Sequence, residues 1–508
     1  MSRLVILNAT LYDGSGQPSC LADIAVDPPF ITDIAPAGTL ATGGAAVVLD
    51  AAGLAVAPGF IDVHGHSDTM LIRNPCAHAK LLQGVTTEIT GNCGCSKCIE
   101  VMPKWDCVAD YARAVRAARP AINSATLAGH NSLRERVMGY ENRPATQAEM
   151  QAMRDLLARA LDEGACGLSS GLWYLPGRYA PTEEIVGLGA CLRGTGKVYA
   201  THMRSEGDGL FEAIEEALAV ARAGDGRLQV SHIKAAPRQN WHKLPALLRI
   251  IEDARAAGLQ VHADRYPYIY SCTGLRMILP EPWNSIPDIQ ACLQDPAQAA
   301  QAAAALDGTL DDEQDWRRVI VTDSADCHRP YLGMTLHDIA AAMGLTPGQA
   351  TVRLLAEARP NAAFGKMSED NLKVILRQPW VAAGSDADAY PTDYSCGRAH
   401  PRAFGTFPRF IRMAREQGVP LADVIRRLTA LPADIFGLDR RGRLATGHYA
   451  DLVVFDERTF SDRATFAEPH RPAVGVRAVL VNGGLAYSSA RPEAIGRHGD
   501  FLAVPNRG

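Results

Sequence analysis

The sequence predicts an α/β fold: a (β/α)8 barrel, a small β-sandwich domain formed by both chain ends, and an inserted subdomain after strand seven. Short apolar runs alternate with amphipathic segments from residue 58 to about 430. The runs are nearly continuously apolar, which is typical of strands that are covered on both faces. Eight such runs occur, and repeated strand–helix units with buried strands predict a parallel barrel.

The predicted strands and helices follow each other in a regular order. Between most strands lie helical patterns, such as 146–164 and 210–224, in which apolar residues recur at spacings of three and four. Several patterns end at a glycine, as helix C-termini often do, namely at Gly164, Gly224 and Gly258. The eight strands are predicted within 59–66, 84–94, 123–130, 164–171, 197–202, 228–232, 259–268 and 379–387.

The interval between strands seven and eight is far longer than the other intervals. We expect residues 271–340 to form an inserted subdomain with helical character. A long insertion at the strand ends would act as a lid or as a wall for a ligand. The alternative is a decoration that lies remote from any site.

Both chain ends are predicted to form short strands, in 1–57 and in 441–485. Neither end could bury a sheet face alone, so we expect the two to pair as a β-sandwich beside the barrel. The chain is therefore divided into 1–57 (sandwich, N-terminal part), 58–440 (barrel with its insertion) and 441–508 (sandwich, C-terminal part, and a tail). The tail, 486–508, is expected to be loosely ordered.

Composition excludes several classes of protein. The chain has 508 residues, of which 47% are hydrophobic and 21% charged, with a formal net charge of −5 and no basic stripe, so no nucleic-acid partner is expected. No run of about 18 apolar residues occurs, so no membrane span is expected. The N-terminus has no apolar signal segment, and twelve cysteines are too dilute for a disulfide scaffold. We expect a cytoplasmic protein with reduced thiols; its oligomeric state stays open.

The stretch AVAPGFIDVHGHSD, residues 55–68, contains the most informative motif. His64 and His66 are two residues apart, so on a strand both side chains lie on one face. Two imidazoles at one strand end can bind a divalent metal ion. The alternative is a strand with two chance histidines.

Further residues of metal-ligating type lie at or just after the ends of other predicted strands, which is where barrel enzymes carry their active sites. The full set is His64, His66, Cys93, His130, His202, His232 and Asp386. One metal ion could use His64, His66 and Asp386, and a second could use His202 and His232. Cys93 could bridge the two. Zn²⁺ suits this mixed nitrogen, sulfur and oxygen set, with one or two ions per chain.

Cys93 has an alternative interpretation. Cys93, Cys95 and Cys98 form a C-x-C-x2-C pattern, which could be half of a structural zinc site. No second pair of Cys or His residues follows at a suitable spacing. Cys95 and Cys98 are therefore expected to be ordinary buried thiols.

Asp386 is the candidate catalytic residue. It ends strand eight in AAGSDA, where a carboxylate could bind metal and also accept a proton from a metal-activated water. The alternative is a helix N-cap, which is common for Asp after a strand. The histidines beside it favour catalysis.

Three further residues are candidate substrate contacts. Arg402 follows Asp386 on the same loop and could hold a substrate carboxylate with two parallel hydrogen bonds; the alternative is a surface arginine. Tyr266 or Tyr268, after strand seven, could donate to a developing oxyanion, or could pack in the core. Cys272 could touch the substrate.

Together these residues resemble the N-acyl-D-amino-acid deacylases (D-aminoacylases) of the metal-dependent amidohydrolase superfamily, and the match spans nearly the whole chain. The Cys in GNCG and the HPR after GSD narrow the resemblance to the deacylases, whereas HGH and GSD mark the superfamily. The motifs are PGFIDVHGHSD, GVTTEITGNCG, GLWYLPGRYA, THMRSE, SHIK, YPY, GSDA, HPRAFGTFPR and GRLATGHYADLVVFD.

The resemblance implies a role for each residue. It assigns Cys93, His202 and His232 to the more tightly held metal ion, and it assigns the other ligands to the second. Arg402 and Tyr266 become contacts to the substrate carboxylate or the oxyanion. The chain departs from the family pattern at Ile233, where a histidine is expected, and at Cys272, where serine is usual.

The expected activity is zinc-dependent hydrolysis of the amide bond of N-acyl-D-amino acids, with Asp386 as general acid/base. The first alternative is a cyclic amidase resembling hydantoinases and dihydropyrimidinases. Those enzymes usually bridge their metals with a carboxylated lysine, and no lysine occurs in strand four at 164–171. The second alternative is a non-catalytic scaffold on the same barrel, which should have lost metal ligands.

Overall fold

The computed structural model describes residues 3–99, 105–309 and 313–507. Residues 1, 2 and 508 of the predicted terminal domain and 310–312 of the predicted insertion lie outside this part. The described strands, in chain order, are β1 Leu4–Leu11, β2 Cys20–Asp27, β3 Phe30–Pro36, β4 Val47–Asp50, β5 Ala55–Pro58, β6 Phe60–Asp62, β7 Val85–Thr90, β8 Asn123–Thr126, β9 Ala128–Gly129, β10 Gly167–Gly171, β11 Val198–His202, β12 Arg227–Val230, β13 Gln260–Arg265, β14 Ser271–Gly274, β15 Val319–Asp323, β16 Asn361–Phe364, β17 Val381–Ala383, β18 Leu452–Phe455, β19 Val476–Val481 and β20 Gly484–Ser488.

The α-helices lie mainly between these strands. In chain order they are α1 Met70–Arg73, α2 His78–Leu81, α3 Val108–Ala118, α4 His130–Met138, α5 Gln147–Asp162, α6 Thr182–Gly189, α7 Leu210–Ala223, α8 Leu244–Ala256, α9 Ile289–Cys292, α10 Pro296–Asp307, α11 Glu313–Trp316, α12 Leu336–Met343, α13 Pro347–Glu357, α14 Glu369–Arg377, α15 Arg402–Glu416, α16 Leu421–Leu428 and α17 Ala430–Phe436. No helix in the described ranges is both long and apolar enough to cross a bilayer.

Local sequence explains where the long helices begin and end. Thr146 and Glu149 form a reciprocal capping box at the start of α5, which satisfies two backbone N–H groups. Helix α7 ends at Gly224, and Gly258, just after α8, adopts a φ of +97° that favours glycine. The buried faces of α5, α7 and α8 join one apolar core with β10 to β13.

The central strands are parallel and form two sheets. One has the order β17-β13-β12-β11-β10-β9, and the other has the order β6-β7-β8. The sheets meet at both edges. At the first edge, the Leu127 N–H between β8 and β9 donates to the Thr90 carbonyl (2.9 Å). At the second, Val63 N–H donates to the Ala383 carbonyl (3.4 Å).

Both chain ends contribute strands to one further sheet. Its order is β20-β19-β18-β5-β1-β2-β3, with β4 also paired to β1. The predicted sandwich requires two separate sheets, whereas β1 pairs with β2 on one side and with both β4 and β5 on the other, which links all eight strands. Strand β18 pairs with β5, so strands from both chain ends lie in this one sheet, and the hydrogen bonds do not divide it into the two sheets of the predicted sandwich.

The C-terminal tail packs against the central sheets and is not loose as predicted. Phe501 is buried against Tyr111, with ring centres 5.8 Å apart. The Leu502 N–H donates to the carbonyl of Ser124 in β8 (2.7 Å), and Gly499 N–H donates to Pro120 (2.8 Å). One buried aromatic ring and these backbone hydrogen bonds hold the segment in place.

The inserted segment folds around its own core and ends later than predicted. Strands β14, β15 and β16 form an antiparallel sheet, with β16 in the centre. Since β16 spans Asn361–Phe364, the unit continues past residue 340 to Phe364. Helices α9, α10, α12 and α13 supply the apolar side chains that cover it. The helical character was predicted correctly, but the small sheet was not.

Candidate metal centre

The structure brings the six predicted metal ligands together at the carboxyl ends of the parallel strands. Each follows or ends a different strand, apart from the His-x-His pair, and parallel strands direct these ends to one side of the molecule. His64 and His66 follow β6, Cys93 follows β7, His202 ends β11, His232 follows β12 and Asp386 follows β17.

The first ligand group contains His64, His66, Cys93 and Asp386. Their ligand atoms all lie within 4.8 Å of one another. The Asp386 Oδ1 atom is 2.9 Å from His66 Nε2 and 3.5 Å from His64 Nε2. The sulfur of Cys93 is 3.3 Å from His64 Nε2. Two imidazoles, a thiol and a carboxylate thus converge on one point.

The second ligand group contains Cys93, His202 and His232. The Cys93 sulfur is 3.9 Å from His202 Nδ1 and 3.7 Å from His232 Nε2. In a tetrahedral zinc site with a Zn–S bond of about 2.3 Å and a Zn–N bond of about 2.0 Å, sulfur and nitrogen lie about 3.5 Å apart. The observed spacings of 3.9 and 3.7 Å are slightly longer than this value, and Cys93 belongs to both groups.

Electrostatics favour the metal-binding form of Cys93. Burial alone would raise the pKa of its thiol, but the neighbouring imidazoles of His64, His202 and His232 lower that pKa well below its ordinary value. Burial likewise opposes the charge on Asp386, yet Arg402 and then His64 hold the pKa of the carboxyl well below its usual range. Both side chains therefore provide anionic ligand atoms.

Three of the six ligands have a backbone conformation that is uncommon for residues other than glycine. The φ angles are +53° at Cys93, +36° at His232 and +52° at Asp386. Left-handed residues of this kind concentrate at functional sites, where the surrounding fold maintains them. Gly65, between the two histidines of the first motif, is constrained differently: a Cβ there would lie 1.6 Å from Glu88 Oε1.

Asp264, in β13, is a supporting residue that sequence reasoning missed. Its carboxylate lies 3.2 Å from His64 Nδ1 and accepts hydrogen bonds from Gln229 Nε2 (3.0 Å) and the His232 N–H (2.8 Å). A carboxylate on the far nitrogen of a ligand imidazole orients the ring and increases its basicity. The available signal was an acid near the carboxyl end of a predicted barrel strand, between Ala263 and Arg265.

Two other charged side chains position the ligands and were also missed, the partly buried Glu206 and the fully buried Lys80. Glu206 lies 3.0 Å from His232 Nδ1 and forms an ion pair with Lys234. Lys80 donates to Asp62 below the His-x-His motif and to the carbonyl of Ala387 beside Asp386, both at 2.8 Å. Lys80 thereby ties the first strand to the loop after the last one.

The predicted substrate contacts lie next to Asp386. Arg402 is buried, and its Nη1 is 2.9 Å from Asp386 Oδ2. Its guanidinium lies 4.7 Å from the ring centre of Tyr266, and its Nη2 donates to the Cys272 carbonyl (3.3 Å). The hypothesis of a surface arginine is wrong. The Cys272 sulfur faces Thr322 Oγ1 at 3.5 Å.

Three buried polar atoms in this region have no hydrogen-bond partner within the described part of the chain. They are Arg402 Nε, Tyr266 Oη and His400 Nε2. Buried polar atoms are nearly always satisfied in folded proteins, by the protein itself or by ordered water. Burial raises the pKa of Tyr266 to about 12, so its phenol is a hydrogen-bond donor at neutral pH.

Other candidates from the sequence lie outside the ligand groups. His130 pairs with Glu184 at 2.9 Å, away from the metal ligands. Within the described residues, Cys95 and Cys98 join no group of potential ligands, so the pattern of a structural zinc site is not realised there. Cys98 is buried as expected, but Cys95 is exposed, so the expectation of a buried thiol is wrong for Cys95. Tyr268 donates to the Pro401 carbonyl and packs in the core.

A cavity of about 750 Å³ opens above the ligands. Its floor carries His66, Cys93, His202, His232 and Asp386, and its walls include Arg402, Tyr266 and Cys272 together with β14 and β16 of the inserted unit. The insertion therefore forms a wall of the site, as one of the two sequence hypotheses predicted. This volume is suited to a small organic molecule.

Comparisons with known proteins agree with these motifs. A model of the amidohydrolase family matches residues 47–487. Two curated relatives from Alcaligenes xylosoxydans xylosoxydans, an N-acyl-D-glutamate deacylase and a D-aminoacylase, are each 35% identical; the alignments cover 96% and 94% of this chain, and 94% and 93% of the relatives.

A crystal structure of N-acyl-D-glutamate deacylase from Bordetella bronchiseptica is also similar. It contains zinc and a phosphonate inhibitor that mimics the tetrahedral intermediate of the reaction. It is 36% identical, superposes with a TM-score of 0.84, and the match covers 99% of this chain and 100% of that one. The resemblance to the N-acyl-D-amino-acid deacylases is confirmed, and the chain belongs to the amidohydrolase family.

Proposed function

We propose that this protein is a zinc-dependent hydrolase that converts N-acyl-D-amino acids into a carboxylate and a free D-amino acid. The observation that carries the proposal is the position of Arg402 and Tyr266. Both residues line the same cavity as the metal ligands His66, Cys93, His202, His232 and Asp386. A substrate carboxylate held there would place the neighbouring amide over the metal ligands. The named activities of the relatives support this substrate class.

We also infer that the two parallel sheets close into one eight-stranded barrel. Strands β8 and β9 are separated only by Leu127, so together they supply one barrel strand. The opposite edge closes through the parallel bridge between Gly65 and Ala387. The barrel then spans 58–440, with the insertion at 271–364, and the chain ends form the second domain.

The residues of this chain would divide the chemistry as follows. His64, His66, Cys93, His202, His232 and Asp386 would hold one or two zinc ions. Zinc bound there supplies Lewis-acid polarisation of the acyl carbonyl and lowers the pKa of water to about 7. Asp386 accepts the proton of the attacking water and donates it to the amide nitrogen as the C–N bond breaks. Arg402 and Tyr266 fix the carboxylate, so that the amide is presented in one orientation.

The cyclic-amidase alternative receives no support from the site. Strand β10, Gly167–Gly171, contains no lysine, and Cys93 occupies the position shared by both ligand groups. The scaffold alternative predicts lost ligands, whereas all six ligand side chains are present and converge. Neither alternative has an observation in its favour.

The test is the release of free amine from N-acetyl-D-methionine, N-acetyl-D-glutamate and their L enantiomers. Protein stripped with a chelator and protein reloaded with Zn²⁺ are compared, with metal content measured in each. We expect hydrolysis of at least one D substrate, no hydrolysis of L substrates, and activity that returns with zinc. Cleavage of a hydantoin with no cleavage of any linear substrate would contradict the proposal.

A further inference from the structure

A second cavity continues from the one above the metal ligands. It has a volume of about 500 Å³. Five residues line both cavities, which makes the two spaces neighbours with a common wall: Trp173, Tyr174, Gly274, Met277 and Asn361. The reaction proposed above does not use this second cavity.

The second cavity lies beyond the His202 side of the ligand cluster. The ring of Tyr174 packs against His202, with ring centres 4.8 Å apart. The carboxylate-binding residues are on the other side of the cluster, where Arg402 pairs with Asp386 at 2.9 Å. A substrate that spans the ligand cluster therefore has one end at Arg402 and the other near Tyr174.

The lining of the second cavity suits an apolar ligand. Leu175, Met277, Ile289, Leu355 and Pro360 contribute apolar surface. Several polar side chains in its wall are already engaged in the protein, whereas the exposed Arg359 and Asn361 also line it. Arg276 donates to the carbonyls of Asn284, Ile286 and Pro287. Asp288 caps α9 by accepting from the Ala291 N–H (3.2 Å).

We propose that this second cavity binds the acyl chain of the substrate, so that the enzyme prefers N-acyl-D-amino acids with medium-length or long apolar acyl groups over N-acetyl compounds. The inference rests on the proposed function. A secondary amide is trans, so the acyl chain extends away from Cα and from the carboxylate attached to it. With the carboxylate at Arg402, the acyl chain points past His202 to Tyr174 and Met277.

The experiment varies the acyl chain while the amino acid stays constant. The kcat/KM of the zinc-loaded enzyme is measured for acetyl, butyryl, hexanoyl and octanoyl derivatives of D-alanine. Full burial of one methylene group raises binding affinity by about fourfold. We expect kcat/KM to rise by at least about tenfold from acetyl to octanoyl, since burial in the cavity is partial.

Two variants at the junction of the cavities test the location. Met277→Trp fills the passage, and Gly274→Val narrows it from the other wall. A Cβ at Gly274 would lie 3.8 Å from Arg276 Cγ, so a side chain fits there. In both variants the octanoyl/acetyl ratio of kcat/KM should fall about tenfold. Met343→Trp makes the same exchange in the inserted unit outside both cavities and should leave the ratio unchanged.

The outcomes separate this proposal from the proposed function. If acetyl and octanoyl substrates react equally well, or if octanoyl reacts more slowly, the acyl site is wrong while the deacylase assignment stands. If the junction variants change selectivity for the amino-acid side chain (D-alanine against D-norleucine) and leave the octanoyl/acetyl ratio unchanged, the cavity binds that side chain and the proposal is overturned. Absence of any D-specific amide cleavage would contradict the proposed function itself.

Discussion

The metal-ligand cluster consists of the six predicted ligands, and the substrate-facing cluster consists of Arg402 and Tyr266. The two lie side by side but differ in how many of their polar atoms have a partner within the protein. In the ligand cluster, His64 contacts Asp264 and His66 contacts Asp386. In the substrate-facing cluster, polar atoms of Tyr266 and Arg402 remain buried without a partner in the described structure. The fold supplies partners for the ligand side chains, whereas Arg402 Nε and Tyr266 Oη have none among the described residues.

The largest effect is expected at Asp386, which joins the two clusters by contacting both His66 and Arg402. Asp386→Ala removes the group that would transfer the proton and one predicted metal ligand. We expect kcat to fall by about a thousandfold or more, because general acid–base catalysis contributes about 10²–10⁴-fold. Steady-state kinetics and metal analysis of the same preparation measure the two losses separately.

Asp393 provides a matched control for this substitution. It is an exposed carboxylate on the same loop, and its contacts are with the neighbouring Ser395. Asp393→Ala should leave kcat and metal content unchanged. Near-wild-type turnover by the Asp386→Ala variant would remove Asp386 from the mechanism.

A smaller effect is expected at Arg402, in the substrate-facing cluster. Arg402→Lys keeps the positive charge but loses the planar pair of donors that match a carboxylate. We expect kcat/KM to fall about tenfold to a hundredfold, mainly through KM, with zinc content unchanged, because hydrogen bonds to charged groups contribute about 1.5–3 kcal/mol. A normal KM combined with lost zinc would instead place Arg402 in support of the metal ligands.

Asp264 tests whether the ligand cluster depends on its buried partner. Asp264→Asn keeps the size of the side chain but weakens its contact with His64. We expect zinc affinity to fall about tenfold to a hundredfold, as for other partners of ligand imidazoles. Competition with a zinc chelator measures this affinity. The control is Asp393→Asn, which makes the same exchange at an exposed position. A variant of Gln229 would be unsuitable as a control, because Gln229 donates to the Asp264 carboxylate itself.

The smallest effect is expected at Tyr266. Tyr266→Phe removes one neutral donor, and we expect KM to rise by up to about tenfold. Because burial raises the pKa of the Tyr266 phenol to about 12, the phenol keeps its proton across the working range and loses it only as the pH approaches that value. The pH profile from 6 to 10 should therefore keep its shape in the variant. Disappearance of an alkaline limb would show that the phenol titrates in this range.

The order of the strands and the positions of the candidate ligands could largely be predicted from the sequence. Parallel strands require near-continuous apolar runs, and ligands at their ends appear as polar residues directly after each run, as with His202 after VYAT. The terminal domain was harder to predict from the sequence. Strands β5 and β18 lie almost four hundred residues apart in the chain, and their pairing decides whether one sheet or two results.

The supporting residues could not be predicted because their partners are distant in sequence. Asp264 acquires its role from contact with His64, which is 200 positions away. A single acid in a strand is equally compatible with a local ion pair or a solvated edge. The end of the insertion was missed for a similar reason: β16 becomes recognisable as part of that unit only through its pairing with β14 and β15.

The left-handed backbone at Cys93, His232 and Asp386 also has a consequence for how long the protein survives. Conformations of this kind cost about 1–3 kcal/mol each and persist because the surrounding fold maintains them. An ion that binds only the folded arrangement offsets this cost by mass action. The thermal tolerance of the protein should therefore follow the free zinc concentration around it, so that metal scarcity shortens its lifetime as well as reducing its turnover.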